Sequence, residues 1–473
     1  MKTFCKDLPK STACRVITEK VVSQVNPDSL SKVFSQLEGT VILGGNENGL
    51  WSGGYSYWMA QPRFIFEFYP GEQNPFEKLD NLLRKFSLQG KPTSLPDGIF
   101  CGGWAGFFGY ELGRHIENLP EQAEYDLPVP IVRLGFYDKL ICYDHTRGEF
   151  LLISLQFEDE QGADKKIESL KEILKQAESE KVGFLNDRQS DNFDFSFADS
   201  NISEDYYLES VEKIKRYIYD GEVYQVNFSR RFETDFTAKP VDLFLWENRY
   251  NPSGYSGYID GGDFQIVSAS PEMFITAFDG EISTKPIKGT RRRFSGKDRA
   301  GKNAKNYNEL LKSGKEKAEL NMIIDLERND LGRICEYGTI KVTQPRTIET
   351  YPTVFHAVAT VSGKLRKRSG LTEILKGMFP GGSITGAPKV RSMEVIDELE
   401  PTARGVYTSN IGFVGVDGSV CLNIAIRTVI INQGKSYVQV GGGIVADSDP
   451  QAELDETLAK GKALMEGIRN LSV

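Results

Sequence analysis

Short apolar runs of the kind that form β-strands alternate with turn residues through roughly the first third of the chain. Glycine pairs such as Gly44-Gly45 separate the runs, which include Thr40–Leu43, Arg63–Tyr69, Ile131–Tyr137 and Phe150–Gln156. Runs of this length bounded by turn residues predict strands. The longer segment Asp164–Glu180 repeats its apolar residues at helical spacing and predicts a helix.

A polar segment rich in Asp, Ser and Asn then interrupts the apolar pattern. It covers residues 186–203, and a polar cluster of this composition between two periodic regions predicts a linker. We therefore expect an N-terminal region over residues 1–185 and a C-terminal domain over residues 204–473.

Strands also dominate the C-terminal domain, where a few helices interrupt them. The predicted helices are Glu204–Asp220, Lys305–Ile324, Lys389–Glu400 and Pro450–Ile468. The predicted strands are Tyr224–Phe232, Phe264–Ser268, Met273–Phe278, Gly338–Gln344, Thr353–Ser362, Ser409–Gly415, Cys421–Ile431 and Tyr437–Val440. Because strict alternation of strand and helix is absent, this pattern predicts an α+β fold with largely antiparallel sheets. No dinucleotide-binding fingerprint or NTPase phosphate loop is present.

Composition and charge narrow the range of partners. The net charge of -9 on 473 residues disfavours nucleic acid and anionic membrane surfaces as partners, and no run approaches the length of a membrane helix. The six cysteines are scattered and form no metal-binding or disulfide pattern, so we expect reduced thiols in a cytoplasmic protein. The three histidines have no zinc spacing, and we interpret them as structural.

Glutamate pairs on two predicted helices are the first candidate for chemistry. Glu316 precedes Glu319 by three residues, and Glu453 precedes Glu456 by three with Lys460 four further on. These spacings place each set on one helix face, where the carboxylates are either solvated or shared by a hard cation such as Mg²⁺. The Asp449-Pro450 pair is a good start for the second helix.

A lysine and a glutamate form the second candidate. Glu272 follows Ser270-Pro271, and Lys288 lies in the segment Pro286-Ile-Lys-Gly-Thr290. The lysine is either an exposed residue at a strand end or, if its pKa is lowered, a nucleophile.

Residues suited to binding a small di-acid are the third candidate. The segment Gly381–Lys389 offers amides and hydroxyls ahead of a predicted helix, where an anion is stabilised. Arg427 lies within the apolar run predicted as a strand, so its burial requires a carboxylate partner. Glycines at 441–443 allow the backbone to approach a ligand closely.

These motifs together resemble the chorismate-utilising enzymes, which include anthranilate synthase, isochorismate synthase, salicylate synthase and aminodeoxychorismate synthase. The resemblance covers roughly residue 100 to the end. It is carried by Gly106–Gly113, Tyr224–Asn227, Ser270–Glu272, Pro286–Thr290, Asp325–Gly332, Gly381–Lys389, Ile426–Thr428 and Glu453–Lys460.

The resemblance implies an antiparallel β-sandwich flanked by helices, with chorismate as substrate and magnesium as cofactor. It implies that Glu319 and Glu456 bind the metal directly, that Glu316 and Glu453 act mainly through waters, and that Glu272 is the acid that helps the 4-hydroxyl leave. The residues implied to hold the two substrate carboxylates are Arg427, Tyr407, Ser383 or Thr385, Lys460 and the amides of Gly441, Gly442 and Gly443. Leu320 departs from the family, which has His or Asn after the metal-binding Glu.

Two positions distinguish the branches of this family. Gln225, placed among the substrate-binding residues, stands where the hydrolytic, isochorismate-type enzymes have a lysine that activates water, and a neutral amide cannot be that base. Lys288 stands where anthranilate synthases have alanine, and this is the pattern of the enzymes that aminate chorismate at C4. The resemblance implies that Lys288 adds to C2 of chorismate before ammonia attacks C4.

The resemblance also implies a partner. The family pairs with a glutamine amidotransferase subunit that supplies ammonia, and no glutaminase motif is evident in this chain. Residues 40–56 lack a Leu-Leu-Glu-Ser-like segment, which argues against feedback inhibition by tryptophan. Two alternatives stay open: an anthranilate synthase component I, and a non-catalytic protein that kept the chorismate-binding fold.

Overall fold

The computed structural model of the chain describes residues 12–46, 49–90, 95–158, 162–183, 194–294, 299–367 and 369–472. The first part of the predicted linker, residues 186–193, lies outside the described residues. No helix in the described ranges is long and apolar enough to span a membrane.

Ten α-helices form within the described ranges. They are α1 (Pro27–Phe34), α2 (Pro75–Leu83), α3 (Ala163–Ser179), α4 (Glu204–Tyr219), α5 (Pro240–Tyr250), α6 (Arg299–Lys312), α7 (Gly314–Ile334), α8 (Leu371–Met378), α9 (Lys389–Leu399) and α10 (Pro450–Leu471). Short 3₁₀ turns lie at Tyr110–His115 and Gly382–Ile384.

The strands of the same ranges make up most of the remaining regular structure. The first twelve are β1 (Thr12–Val21), β2 (Val41–Leu43), β3 (Tyr55–Met59), β4 (Phe64–Phe68), β5 (Phe86–Leu88), β6 (Gly103–Phe108), β7 (Val132–Tyr137), β8 (Lys139–Asp144), β9 (Glu149–Phe157), β10 (Asp199–Ser200), β11 (Gln225–Asp235) and β12 (Tyr255–Asp260). The others are β13 (Phe264–Ser270), β14 (Met273–Phe278), β15 (Glu281–Lys285), β16 (Ile287–Arg292), β17 (Lys341–Thr350), β18 (Val354–Lys364), β19 (Gly386–Ala387), β20 (Asn410–Gly415), β21 (Val420–Asn423), β22 (Thr428–Asn432) and β23 (Lys435–Ile444).

These strands build two large sheets. The larger sheet has the order β10-β11-β23-β22-β13-β12-β2-β3-β8-β9-β1-β5, with β19 added beside β11. The smaller sheet has the order β16-β18-β15-β14-β21-β20-β6-β7-β4, with β17 added beside β18. The pairing is antiparallel throughout except between β1 and β5. The predicted α+β fold with antiparallel sheets is confirmed. Because each sheet takes strands from both sides of residues 186–203, the proposed division into two regions stays a prediction.

The core lies in two layers on either side of the larger sheet. Along β2, Val41 and Leu43 face the layer between the sheets, while Ile42 faces the helices α1, α3, α5 and α10. The same alternation places Tyr57 in the first layer and Trp58 in the second. Both faces of such strands are buried, so their sequences are continuously apolar.

Two predicted elements are wrong because each spans a boundary. The run Cys421–Ile431 is two strands, since the chain leaves the smaller sheet after Asn423 and joins the larger one at Thr428. The predicted helix Lys305–Ile324 is divided between α6 and α7 at Ser313, whose side chain accepts a hydrogen bond from the amide of Glu316. The signal for this break is a Ser followed three residues later by Glu.

The start of α10 is confirmed as predicted. Asp449 caps the helix, with its Oδ1 accepting from the Ala452 amide at 2.9 Å, and Pro450 occupies the first turn. This helix packs closely on α5, because a Cβ added at Gly467 of α10 would lie 3.1 Å from Oε1 of Glu247 on α5. Burial raises the pKa of Glu247 to about 8, with the Glu466 charge adding to the effect and Arg427 opposing it.

The buried carboxyl of Glu247 makes stability depend on pH. In the unfolded chain a glutamate has a pKa of about 4.3, whereas the pKa of Glu247 in the folded chain is about 8. Folding therefore costs progressively more as pH rises between these values. We expect E247Q to flatten the fall in the free energy of unfolding from about pH 5 to 8, measured by urea denaturation. The exposed E209Q variant should follow the wild type, and an E247Q curve parallel to the wild type would contradict the prediction.

Candidate active site

Two chain segments run side by side between the larger and the smaller sheet, in opposite directions, and the candidate site lies at this crossing. One connects β13 to β14 and contains Glu272, and the other connects β21 to β22 and contains Arg427. The Ile424 amide donates to the Glu272 carbonyl at 3.0 Å, and Ser270 Oγ donates to the Ile424 carbonyl at 2.5 Å. The Ala269 amide donates to the Arg427 carbonyl at 2.9 Å. The crossing therefore fixes the backbone of both predicted site residues.

Glu272 is a buried carboxyl held by two hydrogen bonds. Its Oε1 accepts from Ser383 Oγ at 2.8 Å and from the Ile287 amide at 3.3 Å. Burial raises the pKa of Glu272, while the Ser383 hydroxyl and the charge of Lys288 act in the opposite direction. A carboxyl with a raised pKa keeps a proton that it can donate.

Lys288 lies beside this carboxyl on β16. Its Nζ is within 3.4 Å of the Ser383 carbonyl. Burial lowers the pKa of Lys288, and the nearby charges of Glu319, Glu272 and Glu456 only partly oppose this. The amine therefore becomes neutral, and hence nucleophilic, more readily than an exposed lysine.

The glutamates of α7 lie near Lys288 and its neighbour Gly289. Glu316 Oε1 accepts from Arg291 at 2.6 Å, and Glu316 Oε2 is buried with no hydrogen-bond partner among the described residues. Gly289, next to Lys288, has φ +97, and a Cβ added there would lie 3.1 Å from this oxygen. Glu319 is half-buried and acts electrostatically on Lys288. Leu320, where the family has His or Asn, packs in the core and is 1% exposed.

The glutamates of α10 lie near Gly442 of β23. Glu453 accepts from Ser448 Oγ at 2.6 Å, and burial raises the pKa of its carboxyl. Glu456 pairs with Lys460 at 2.6 Å. Desolvation would raise the pKa of Glu456, but the Lys460 ammonium, together with the charges of Lys288 and Lys315, leaves the pKa lowered.

The three glycines of β23, at positions 441–443, lie next to the side chains of α10. A Cβ added at Gly442 would come within 3.0 Å of Glu453 Oε2, and one at Gly443 within 2.8 Å of Gln225 Nε2. Lys460 Nζ donates to the Gly441 carbonyl at 3.0 Å. Gln225 is 1% exposed and its Nε2 has no partner in the described part of the chain. A buried donor without a partner is costly, so it marks a place for a ligand acceptor.

Arg427 differs from its prediction in position and in partner. It lies in the crossing rather than in a strand, has a left-handed backbone with φ 51, and is half-buried. Its guanidinium forms no ion pair with any described carboxylate, and burial lowers its pKa, with only Glu247 opposing. The expected internal carboxylate is therefore absent from the described residues, and the guanidinium is available to an anionic ligand.

The segment Gly381–Lys389 precedes a helix as predicted, but its hydroxyls do not lie at the helix start. Helix α9 begins at Lys389, after a 3₁₀ turn and β19, so Ser383 and Thr385 lie outside its first turn. The Thr385 hydroxyl donates to the Gly381 carbonyl at 2.9 Å, which stabilises the turn. Ser383 binds Glu272 instead of facing a helix start.

Sequence reasoning missed Arg404 near the site, and it interpreted the nearby His356 as structural. Arg404 pairs with Glu400 at 2.7 Å and donates to the carbonyls of Asn227 and Ile384, and its guanidinium lies 5.6 Å from the ring of Tyr407, which is buried. His356, interpreted as structural, contacts Thr290 Oγ1 through Nδ1 at 2.8 Å. Burial lowers the pKa of His356 to about 3, and the charge of Arg427 adds to this.

Known proteins resemble this chain along most of its length. A family model described as chorismate binding enzyme matches residues 45–466. Aminodeoxychorismate synthase component 1 of Bacillus subtilis is 38% identical over 370 residues, covering 78% of this chain and 77% of that protein. Anthranilate synthase component 1 of Acetivibrio thermocellus is 34% identical over 479 residues, covering 96% and 94%.

A solved structure agrees with these matches. Anthranilate synthase component I from Streptococcus pneumoniae TIGR4 superimposes with a TM-score of 0.74 at 30% identity, covering 87% of this chain and 92% of that one.

The chain belongs to the chorismate-binding enzymes.

Membership of this family supports chorismate as the substrate. The relatives divide between enzymes named aminodeoxychorismate synthase and enzymes named anthranilate synthase, so family membership alone leaves the reaction open. The roles assigned above to individual residues of this chorismate-binding enzyme stay predictions.

The carboxylates of α7 and α10 suit magnesium only in part. Within the described ranges, no three His, Cys, Asp or Glu side chains converge closely enough to hold a metal ion between them. Magnesium needs only one or two protein carboxylates, because waters and substrate oxygens complete its shell. The partnerless Glu316 Oε2 and the charges of Glu319 and Glu456, which both act on Lys288, fit such a requirement.

The lowered pKa of Lys288 predicts its reactivity. We expect trinitrobenzenesulfonate, which reacts with neutral amines, to label Lys288 at a lower pH than the exposed Lys305, as read by peptide mass spectrometry. Removal of an opposing charge in E319Q should lower that pH further, because Glu319 is the largest of the charges that raise the pKa of Lys288. The exposed E281Q variant should change nothing. Labelling of Lys288 and Lys305 at the same pH would contradict the prediction.

Proposed function

We propose that this chorismate-binding enzyme aminates chorismate at C4 to give 4-amino-4-deoxychorismate, with ammonia released from glutamine by a partner amidotransferase. The observation that carries the proposal is the pair formed by Lys288, an amine with a lowered pKa, and Glu272, a carboxyl with a raised pKa. Both contact Ser383, through its carbonyl and its hydroxyl. A neutral nucleophile beside a protonated acid suits displacement of a hydroxyl group.

The binding residues orient the substrate in this proposal. The Arg427 guanidinium receives one substrate carboxylate, and the Gln225 amide donates to a substrate oxygen near Gly443. Arg404 and Tyr407 close the side of the site near Ile384. Such fixed contacts hold the ring near Lys288 in a reactive geometry.

The first step displaces the hydroxyl group. Lys288 Nζ forms a bond to C2, and the two ring double bonds shift. The C4–O bond breaks as Glu272 gives its proton to the leaving oxygen, which departs as water. The Lys288 nitrogen then loses its extra proton to the Glu272 carboxylate. Magnesium, when held by Glu319 and Glu456 with Glu316 and Glu453 acting through waters, would neutralise substrate carboxylate charge.

The second step reverses the shift. Ammonia forms a bond to C4, the double bonds return, and the C2–Nζ bond breaks with its electron pair going to Lys288. Glu272 gives its proton to the departing Lys288 nitrogen. The new ammonium group at C4 then loses a proton to the Glu272 carboxylate, which forms the product amine and returns the acid to its first state. Covalent catalysis thereby divides one difficult displacement into two.

A separate source of ammonia is supported by the state of the cysteines. The five cysteines in the described ranges are buried thiols, and burial raises the pKa of Cys14 and Cys335 to about 11. A glutaminase needs a thiolate nucleophile, which such thiols do not provide. We therefore infer a heterodimer with an amidotransferase subunit, and the thiols favour a cytoplasmic location.

Anthranilate synthase component I is the second candidate. The relative from Acetivibrio thermocellus, which bears that name, covers 96% of this chain, a larger share than the 78% covered by the Bacillus subtilis aminodeoxychorismate synthase. Lys288 argues for C4 amination, because the resemblance places alanine there in anthranilate synthases.

Product analysis tests the proposal. The purified chain is incubated with chorismate, magnesium and ammonium salt, and the products are separated by liquid chromatography and identified by mass spectrometry. We expect 4-amino-4-deoxychorismate, which an added lyase converts to para-aminobenzoate. Fluorescent anthranilate would support the second candidate. If neither product forms, the result would favour a non-catalytic protein.

Variants of the two central residues sharpen this test. We expect K288R to abolish amination, because a guanidinium does not become a neutral nucleophile. E272Q should lower kcat by about 10²–10⁴-fold, the usual contribution of general acid catalysis. The exposed variants K305R and E281Q serve as matched controls. Full activity of K288R would remove Lys288 from the mechanism.

A further inference from the structure

Helix α7 carries a second group of acidic residues beyond its predicted metal-binding end. Glu327 and Asp330 belong to the segment Asp325–Gly332, which resembles the family but has no role in the function proposed above. Glu327 is 3% exposed and Asp330 is 2% exposed, whereas Asp325 on the same helix is exposed and pairs with Arg328. Buried carboxyls are costly unless they are paired or protonated, so each of these two requires an explanation.

Asp330 is explained by an ion pair that closes a loop. Lys389 Nζ lies 2.6 Å from Asp330 Oδ2 and donates to the Met378 carbonyl at 2.8 Å. Met378 ends α8 and Lys389 begins α9, so this lysine ties both ends of the segment 379–388 to α7. The segment contains Ser383, which binds Glu272.

Glu327 supports the middle of the same segment. Its carboxyl interacts with the Gly382 amide, and a Cβ added at Gly382 would lie 3.4 Å from Glu327 Oε1. The other oxygen, Oε2, is buried without a partner among the described residues. Lys389 is already paired with Asp330, so it leaves Glu327 without a full counter-charge.

The charges around Glu327 favour its neutral form. The pKa of Glu327 is raised to about 8, mainly by burial; the charges of Asp330 and Glu272 contribute in the same direction, and Lys389 opposes them. Arg333 acts on Asp330 from the same helix. Because Glu272 and Glu327 repel each other when ionised, the protonation states of the two carboxyls are linked.

We propose that Glu327 is a positioning residue that, in its protonated form, supports the turn Gly382–Ile384 and so keeps the Ser383 hydroxyl on Glu272. An ionised Glu327 would place a second negative charge near Glu272 and make that acid release its proton less readily. Glu327 reaches the substrate only through Ser383 and Glu272. The inference rests on the proposed function in assigning Glu272 as the acid.

The pH dependence of kcat/KM tests this role. Chorismate consumption is followed spectroscopically with the full-length chain, magnesium and ammonium, whatever product forms. We expect E327Q, which is neutral and can still accept from the Gly382 amide, to shift the alkaline limb of the profile to higher pH. D325N, a change of the same kind at an exposed site on the same helix, should leave the profile unchanged. A purely structural role would lower the rate by the same factor at every pH.

A second variant tests the support of the turn. E327A removes the acceptor for the Gly382 amide, and we expect kcat to fall about 100-fold, as misplacement of a catalytic group by about 1 Å can cause. Its KM should change little. The proposal would be overturned if E327Q is folded but inactive at every pH while E327D is active. That result would mean that the ionised form of the carboxyl is required.

Infrared spectroscopy separates this proposal from the proposed function. At neutral pH the difference spectrum between wild type and E327Q should contain the carbonyl band of a protonated carboxyl, which disappears as pH rises. This measurement needs no turnover, so it holds even if the product is anthranilate or if chorismate is not consumed. Absence of the band at neutral pH would show an ionised Glu327 and overturn the proposal.

Discussion

The paired crossing between the two sheets is the constraint on which the site depends. Because the Ile424 amide and carbonyl bond to Glu272 and Ser270, the two crossing segments hold each other in place. The crossing carries Glu272 into the interior and leaves Arg427 in a left-handed conformation between strands of different sheets. Rigid strands thus position groups that a surface loop would hold less well.

Burial gives this position its chemistry. The same desolvation lowers the pKa of Lys288 and raises that of Glu272, so both groups shift towards their neutral forms. Glu319 and Glu456 limit the shift of Lys288, and Ser383 limits that of Glu272. The acidic faces of α7 and α10 therefore adjust the reactivity of the central pair, in addition to any role in holding a cation.

Local signals in the sequence predicted some parts of this site and not others. The start of α10 was predictable because Asp449 and Pro450 act within one turn, and the spacing of Glu453, Glu456 and Lys460 follows from it. The position of Arg427 was not, because a strand buried on both faces and a passage between sheets are both continuously apolar. Arg404 and Glu327 depend on partners distant in sequence, such as Asn227 and Gly382, which periodicity does not show.

The central claim is that Lys288 acts as a nucleophile. The most direct measurement is the intact mass of the protein after rapid quenching with chorismate and magnesium in the absence of ammonia, followed by peptide mapping. We expect an adduct on the peptide that contains Lys288, equal to chorismate less water, which ammonium discharges and which K288R lacks. An enzyme that makes the amino product while no Lys288-dependent adduct forms under any quench would contradict a nucleophilic role for Lys288.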